Sequence, residues 1–208
     1  MKLFVPFILA ACAISAGAAP IQWTSASGGN DHWYDIIAAP DPQSPDYWTW
    51  SLAVADATAR GGYLATLTSA GEDEFVFTNL ANNPAYWFLD GAGNEEGPRF
   101  GLSNPTVGQS FTWTWVTGEN YSYHNWAAGE PNNLSTEDSA VFFDNFLPNV
   151  NGNRPPVDQW NNVPKSSGMY AYVIEYDHAP ATTPEPGTFM MLAGGGLLAL
   201  AGRRKFAR

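Results

Sequence analysis

The sequence contains few cysteines and few basic residues. Of its 208 residues, only Cys12 is a cysteine, and nine lysines and arginines stand against 20 aspartates and glutamates. One cysteine excludes any disulfide within the chain. The formal net charge of −11 disfavours nucleic acid and anionic lipid as partners and is compatible with divalent cations. Solubility explains the acidity equally well.

Motifs for catalysis are also missing. His32, His124 and His178 are isolated, and no pair has the i, i+4 spacing of a zinc site on a helix. No Gly-rich phosphate loop, nucleophile elbow or recognisable Ser/His/Asp set is present. We therefore expect no enzymatic activity. A hydrolase built on two carboxylates stays open as a minor alternative, because sequence does not determine their separation.

The acidic residues concentrate in the middle of the chain. Between residues 20 and 183, four basic and 19 acidic side chains give a net charge of −15. One group of acids is compatible with an auxiliary cation site, but the pattern favours solvated surface. This group consists of Asp73, Glu74, Glu95 and Glu96.

The N-terminus has the three parts of a secretory signal peptide. Lys2 precedes the apolar run 3–14, and small residues follow at 15–19. This order predicts a signal peptide over residues 1–18, with cleavage after Ala18. The alternative is a lipoprotein cleavage box ending at Cys12. Removal of Cys12 with the signal leaves a mature protein without thiols.

The C-terminus is also tripartite. Pro184-Glu185-Pro186 precedes an apolar stretch at 189–202, and a basic cluster follows at 203–205. The stretch is shorter than the ~20 residues of a bilayer-spanning helix. This order resembles the PEP-CTERM sorting signal of Gram-negative bacteria, which an exosortase processes to pass the protein to the cell surface or exopolysaccharide matrix. The alternative is an ordinary short C-terminal anchor. We expect membrane contact only through this tail, 184–208, before processing.

Between the ends, the periodicity predicts an α+β domain. Apolar residues at helical spacing predict helices over 46–60 and 70–81, the second with a capping box of Ser69 and Glu72. Later apolar runs predict strands. The polar segments 90–110 and 117–138 are expected to be irregular loops. The expected strands are 33–37, 63–67, 85–89, 111–116, 139–143, 157–160 and 170–176.

The order of several short motifs is specific. Gly61 to Ser69 reads GGYLATLTS, Trp113 to Glu119 reads WTWVTGE, and three polar motifs follow. Over residues 30–177 this order resembles a C-type lectin-like domain. The three polar motifs are Asn125-Trp126, Glu130-Pro131-Asn132 and Glu137-Asp138, followed by Trp160-Asn161-Asn162 and Tyr172 to Glu175.

The resemblance implies a fold with two helices, two small antiparallel sheets and a long loop, here without disulfides. It also implies a Ca²⁺ site, with Pro131 in the cis form. The implied calcium ligands are Glu130, Asn132, Glu137, Asn161 and Asn162. The implied sugar-binding residues are Glu130, Asn132, Glu137 and Asn161.

The chemistry of these side chains suits the implied site. Calcium takes six to eight hard oxygens at about 2.3–2.6 Å. Carboxylates only accept hydrogen bonds whereas amides also donate, so Glu130 and Asn132 together can bind neighbouring sugar hydroxyls. In the family, this Glu-Pro-Asn order accompanies mannose-type sugars. Candidates to pack on a sugar ring are Tyr121, Tyr123, His124 and Trp126. Of these, Trp126 is expected to belong to the core instead.

Two positions depart from the family pattern. Asn162 replaces an aspartate, which should weaken calcium binding unless Asp138 or Asp158 contributes. Ser139 replaces a cysteine that often follows Glu-Asp. We expect an exported, calcium-dependent carbohydrate-binding domain over 19–177, joined by a linker, 178–183, to the sorting tail. The partners expected are a glycan or exopolysaccharide and the exosortase; the alternative is a structural or protein-binding module of the matrix.

Overall fold

In the computed structural model, the described residues belong to the unit Ala18–Pro180. The predicted signal peptide and sorting tail lie outside the described residues. Within the described part of the chain, no helix is long and apolar enough to cross a membrane. The described ranges are 19–41, 47–106, 112–132, 136–144 and 157–180.

Two helices and nine strands make up the described fold. Helix α1 covers Trp50–Ala59, and α2 covers Ala70–Val76 and continues as a π-helical turn over Phe77–Ala81. Short 3₁₀ turns cover Ser25–Ser27 and Pro84–Tyr86. The strands are β1 Ile21–Gln22, β2 Trp33–Ala38, β3 Tyr63–Leu64, β4 Phe88–Leu89, β5 Glu95–Ser103, β6 Thr114–Trp115, β7 Glu137–Asp144, β8 Trp160–Pro164 and β9 Ala171–Tyr176.

Helix α2 begins with the predicted cap, with one difference. Ser69 Oγ accepts a hydrogen bond from the backbone N–H of Glu72 at 3.2 Å, as an N-cap does. The Glu72 carboxylate does not return to Ser69 as in a capping box. It accepts instead from the backbone N–H of Thr68 at 2.7 Å and from the Tyr34 hydroxyl at 2.6 Å. The acid that the sequence assigns to a local cap therefore joins the helix to β2.

The strands form one connected sheet rather than two separate small ones. Its main order is β1-β2-β9-β5-β7-β8, with β3 on β9 and both β4 and β6 on β5. The pairings are antiparallel except for β5 with β9, which meet in parallel at Arg99 and Tyr172. This single contact joins the two antiparallel halves that the resemblance implies, so the α+β class holds and the sheet is mixed.

Both faces of the sheet are covered. Along β9, Val173 packs into one core cluster, while Tyr172 and Ile174 pack into the other, as the alternation of a strand requires. The first cluster contains apolar residues of α2, and the second contains Ala53 and Ala57 of α1. The first cluster is rich in aromatic rings: Tyr34, Trp87, Phe100, Trp113, Trp115, Phe142 and Trp160.

The expectation of an irregular loop over 90–110 is wrong. Strand β5 lies within it, and all but its first and last residues are buried. Its sequence lacks alternation because both faces are covered, and its glycines reflect close packing rather than a turn. A Cβ at Gly97 would lie 2.7 Å from the Trp87 ring, so a residue without a side chain is required at this position.

Several other boundaries differ from expectation. The expected strands 63–67 and 111–116 correspond only to the two-residue strands β3 and β6 in the described residues. The expected helix 46–60 is α1, Trp50–Ala59, and β7 begins at Glu137, inside the expected loop 117–138.

The expected buried strand 85–89 is a 3₁₀ turn followed by the two-residue β4, whose Leu89 is 52% exposed. The expected strand 157–160 begins only at Trp160 and continues to Pro164. Asn162 and Val163 are thereby strand residues.

Candidate functional site

The segment between β6 and β7 is irregular where it is described. In residues 116–132 its one sheet-like contact is a parallel bridge between Trp126 and Trp160. The Trp160 N–H donates to Asn125 O, and the Ala127 N–H donates to Trp160 O, each at 2.9 Å. These two bonds hold the segment against the start of β8, immediately before Asn161 and Asn162.

Asp73 of α2 anchors the same segment. It is fully buried and accepts from the Tyr123 hydroxyl at 2.9 Å, Asn125 Nδ2 at 3.0 Å and Trp160 Nε1 at 3.3 Å. Burial raises the pKa of Asp73 to about 7, and the three donors oppose that rise. The expectation that Asp73 belongs to a solvated acidic surface is wrong. Its carboxylate is buried and links α2 to the irregular segment by hydrogen bonds.

Trp160 is the packing centre beneath the site. Its side chain is fully buried, with ring centroids of Phe100 at 5.0 Å, Tyr123 at 5.6 Å and Trp126 at 5.7 Å. Tilted and edge-on aromatic packing of this kind adds to the free energy of burial. Because Trp160 is held on several sides, the backbone that carries Asn161 and Asn162 has a defined position.

The candidate ring-stacking residues have separate environments. Trp126 packs against the core cluster and donates from Nε1 to the Tyr121 hydroxyl at 2.8 Å. The Tyr123 hydroxyl is engaged by Asp73. His124 is exposed, with its ring 6.1 Å from that of Tyr121.

The irregular segment ends at a cis peptide bond between Glu130 and Pro131. Beyond it, Asn132 folds back on Glu130: its backbone N–H donates to Glu130 Oε2 at 2.9 Å and its Nδ2 to Oε1 at 3.0 Å. The same Asn132 N–H also donates to Asn162 Oδ1 at 3.1 Å. Glu130, Asn132 and Asn162 therefore meet at one place.

Asn162 continues this chain of hydrogen bonds to β7. It is fully buried, and its Nδ2 lies 3.3 Å from both the backbone oxygen and Oε2 of Glu137. An aspartate at this position has no N–H to donate to Glu137. The structure thus brings together four of the implied ligands, namely Glu130, Asn132, Glu137 and Asn162.

Asn161, the remaining implied ligand, contacts a different carboxylate. Its Nδ2 donates to Glu96 Oε1 at 3.0 Å. Asn161 is 9% exposed and Glu96 4% exposed, and among the residues that the structure describes neither Asn161 Oδ1 nor Glu96 Oε2 has a hydrogen-bond partner. Burial raises the pKa of Glu96 to about 8; the Asn161 bond opposes this, and the charge of Glu130 adds to it.

Glu96 is therefore a residue of this region that sequence reasoning missed. The expectation that it is solvated is wrong; Glu74 is exposed and Glu95 half-buried. No local pattern marks Glu96, because its contact with Asn161 spans 65 positions. Only the pairing of β5 with β7 and of β7 with β8 brings them together.

Of the two residues expected to supplement the site, Asp138 is engaged elsewhere. Asp138 Oδ1 accepts from the Lys165 N–H at 2.7 Å, and its Oδ2 lies 3.6 Å from Lys165 Nζ. The backbone oxygen of Asp158 accepts from Asn125 Nδ2 at 3.1 Å. Over the described residues, no group of three or more His, Cys, Asp and Glu side chains could hold a metal ion. A cation here depends on amide oxygens as well as carboxylates.

The fold matches solved C-type lectin-like structures. A calcium-independent type II antifreeze protein aligns with a TM-score of 0.51 at 18% identity, covering 79% of this chain and 95% of that one. The cow C-type carbohydrate-recognition domain of CD23, crystallised in the presence of a GlcNAc2Man3 oligosaccharide, aligns with a TM-score of 0.51 at 16% identity, covering 81% and 98%. At these identities the likeness shows the fold alone.

Curated relatives show the same likeness in sequence. Perlucin-like protein of Mytilus galloprovincialis is 29% identical over 48% of this chain and 58% of its own length. C-type lectin domain family 4 member E of Homo sapiens is 32% identical over 53% of this chain and 45% of its own length. The chain thus spans about half the length of these relatives.

The C-terminus matches a sorting family. Residues 182–205 match the PEP-CTERM protein-sorting motif, which indicates export and surface sorting in bacteria. This match covers the tail, and the structural matches cover the domain before it. The chain therefore combines a C-type lectin-like fold with a C-terminal PEP-CTERM protein-sorting motif.

Proposed function

We propose that this protein is an exported, calcium-dependent glycan-binding protein. The proposed organisation is a signal peptide over 1–18, a binding domain over 19–177, a linker over 178–183 and a sorting tail over 184–208. An exosortase processes the tail and passes the domain to the outer envelope or exopolysaccharide matrix of a Gram-negative bacterium. The glycan of that matrix is the partner.

One observation carries the binding proposal. A continuous chain of hydrogen bonds joins Glu130, Asn132, Asn162 and Glu137 at the end of the irregular segment. These residues come from a loop and two strands, and they present carboxylate and amide oxygens, which calcium prefers. Neutral amides alone do not attract a divalent cation strongly, so the charges of Glu130 and Glu137 are the main attraction.

The donor set fits calcium in a second respect. Asn161 Oδ1 is buried and has no hydrogen-bond partner in the described part of the chain. An unpaired buried oxygen costs about 1–3 kcal/mol, which a bound ion removes. Glu130, Asn132, Glu137, Asn161 and Asn162 are the residues that hold the ion. When bound, calcium adds direct coordination of sugar hydroxyls; these side chains orient the same hydroxyls by hydrogen bonds.

The selectivity proposed is for mannose-type sugars. Glu130 accepts and Asn132 donates, so the pair sets one acceptor and one donor direction for neighbouring hydroxyls. The test is a glycan array with and without EDTA, on wild type and Asn132→Asp. We expect EDTA to abolish binding, and the variant to lose mannose-type ligands by about tenfold or more. Equal binding in all conditions contradicts the proposal.

A second candidate is a structural or protein-binding module of the matrix. The matched calcium-independent antifreeze protein favours this reading, because the same fold exists without a need for metal. A calcium titration followed by thermal unfolding separates the two. Free calcium at 100 times its dissociation constant stabilises a specific site by about 2.7 kcal/mol. An unchanged melting temperature favours the module.

A further inference from the structure

We propose that Glu96 is a positioning residue of the cation site, which orients the Asn161 side chain so that its amide oxygen is available to the metal. This inference rests on the proposed function. An amide has an oxygen end and a nitrogen end, and only the oxygen can bind Ca²⁺. Calcium binding therefore requires a contact that holds the nitrogen end of the Asn161 amide and leaves its oxygen end for the metal.

The contact between Glu96 and Asn161 sets the orientation of the amide. Asn161 Nδ2 donates to Glu96 Oε1 at 3.0 Å. A cation bound beside the pair favours the ionised form of Glu96, which accepts hydrogen bonds and does not donate them. In that form, the opposite orientation of the amide would place Asn161 Oδ1 against a carboxylate oxygen without a hydrogen bond. With Nδ2 engaged, Oδ1 is the end without a hydrogen-bond partner among the described residues.

Burial makes this choice energetically significant. Asn161 and Glu96 are both more than nine-tenths buried, so water does not compete strongly for either end of the amide. Asn161 directly precedes Asn162 on β8, so the pair lies next in sequence to a residue of the proposed site. Partners behind a metal ligand commonly change metal affinity by about 10–100-fold when they are removed.

A double-mutant cycle tests the proposal. Glu96→Met removes the acceptor at similar volume, and Asn161→Asp replaces the amide by a carboxylate, which presents oxygen in either orientation. We expect Glu96→Met to weaken Ca²⁺ binding about tenfold or more when residue 161 is Asn, and at most about threefold in the Asn161→Asp background. Calcium affinity is measured by isothermal titration calorimetry on the purified protein.

Two controls separate positioning from charge and from folding. Glu95→Met removes the same charge one residue away on β5, and it is expected to change calcium affinity less than threefold. Melting temperatures in EDTA show whether each variant is folded. If Glu96→Met does not fold, Glu96→Leu serves in the same cycle, because it also removes the acceptor of Asn161 Nδ2.

The outcomes are distinct. An equal loss in both backgrounds means that Glu96 does not act through Asn161, and it overturns the proposal. Unchanged affinity of a folded Glu96 variant also overturns it, while calcium-dependent glycan binding by the wild type keeps the proposed function. Wild-type protein that binds no calcium refutes the cation site and, with it, the role of Glu96.

Discussion

Asn162 shows how one side chain can alter a site without removing it. Its Oδ1 accepts from the Asn132 N–H at 3.1 Å, as an aspartate would, while its Nδ2 lies 3.3 Å from Glu137 Oε2. The amide therefore holds Glu137 in place without a cation. An aspartate would instead place two carboxylates together, and these need a cation to coexist.

The variant Asn162→Asp should be less stable than the wild type without metal, but it should bind calcium more tightly. In EDTA we expect its free energy of unfolding to fall by about 1–3 kcal/mol, because a buried donor is lost and two carboxylates repel. With calcium we expect about tenfold tighter binding, or 1.4 kcal/mol. Thermal unfolding and calorimetry measure both. Asn83→Asp, at an exposed cap where Asp works equally well, is the matched control.

Arg99 stabilises the fold near the position where a disulfide is missing. Its guanidinium is fully buried, donating from Nη1 to Ser139 Oγ and from Nη2 to Ser167 O at 2.8 Å. Ser139 in turn donates to Val163 O at 3.0 Å. Burial lowers the pKa of Arg99 to about 10, so the side chain stays charged at neutral pH. One side chain thus joins β5, β7 and the segment after β8.

Arg99→Lys should be costly despite conserving the charge. A lysine is a compact point charge and cannot present the planar fork that reaches two acceptors. We expect a loss of about 1.5–3 kcal/mol, the value of one hydrogen bond from a charged group. Urea unfolding measures it, with Arg60→Lys at an exposed helical ion pair as the control. Equal stability of the two variants contradicts the fork argument.

At the scale of elements, a few buried contacts fix the position of the segment 116–132. Its order depends on the Asp73 carboxylate and on the bridge between Trp126 and Trp160. The rings of Tyr123 and Trp126 pack against the core, and the buried Asp73 carboxylate adds a polar anchor from α2. Order at Glu130 and Asn132 thus depends on α2.

Asp73→Ala should loosen this segment. Three donors lose their acceptor, and each unsatisfied buried donor costs about 1–3 kcal/mol, less where water can enter. We expect faster amide hydrogen exchange across residues 117–132 and weaker calcium binding. Glu74→Ala, the exposed neighbour on the same helix, should leave both unchanged. Unaltered exchange in the Asp73 variant would show that the anchor lies elsewhere.

At the scale of the whole molecule, buried acids give stability a definite pH dependence. Burial raises the pKa of Asp73 to about 7 and also raises that of Glu175. Partial burial lowers the pKa of His32, but the hydrogen bond and charge of Glu175, 2.6 Å away, outweigh it and raise the pKa overall. All three groups bind protons more readily in the folded state than in the unfolded state.

The sign of the pH effect follows from proton binding. Between about pH 4 and 7 the folded protein binds more protons than the unfolded chain, so the free energy of unfolding falls as pH rises. His32 acts in the same direction, since its contribution is lost as pH rises through its raised pKa. Melting temperatures in EDTA should therefore fall from pH 5 to pH 8, and Asp73→Asn should flatten the slope. A rising melting temperature contradicts this assignment.

The parts of the molecule that sequence could predict are those encoded locally. Apolar spacing and Ser69 predict α2, and alternating or apolar runs predict β2, β7 and β9, because neighbouring residues create those patterns. The order of polar motifs names Glu130, Asn132, Glu137 and Asn162, which the fold does bring together. The sorting tail is likewise a local signal.

The features that depend on long-range contacts were decided only by the tertiary structure. Strand β5 reads as a loop because its burial comes from partners on both faces, not from its own periodicity. Asp73 and Glu96 read as solvated acids, yet each is buried against residues more than 40 positions away. A charged side chain is stable inside a protein only when distant chain segments supply its partners, and a sequence does not display those partners until the chain has folded.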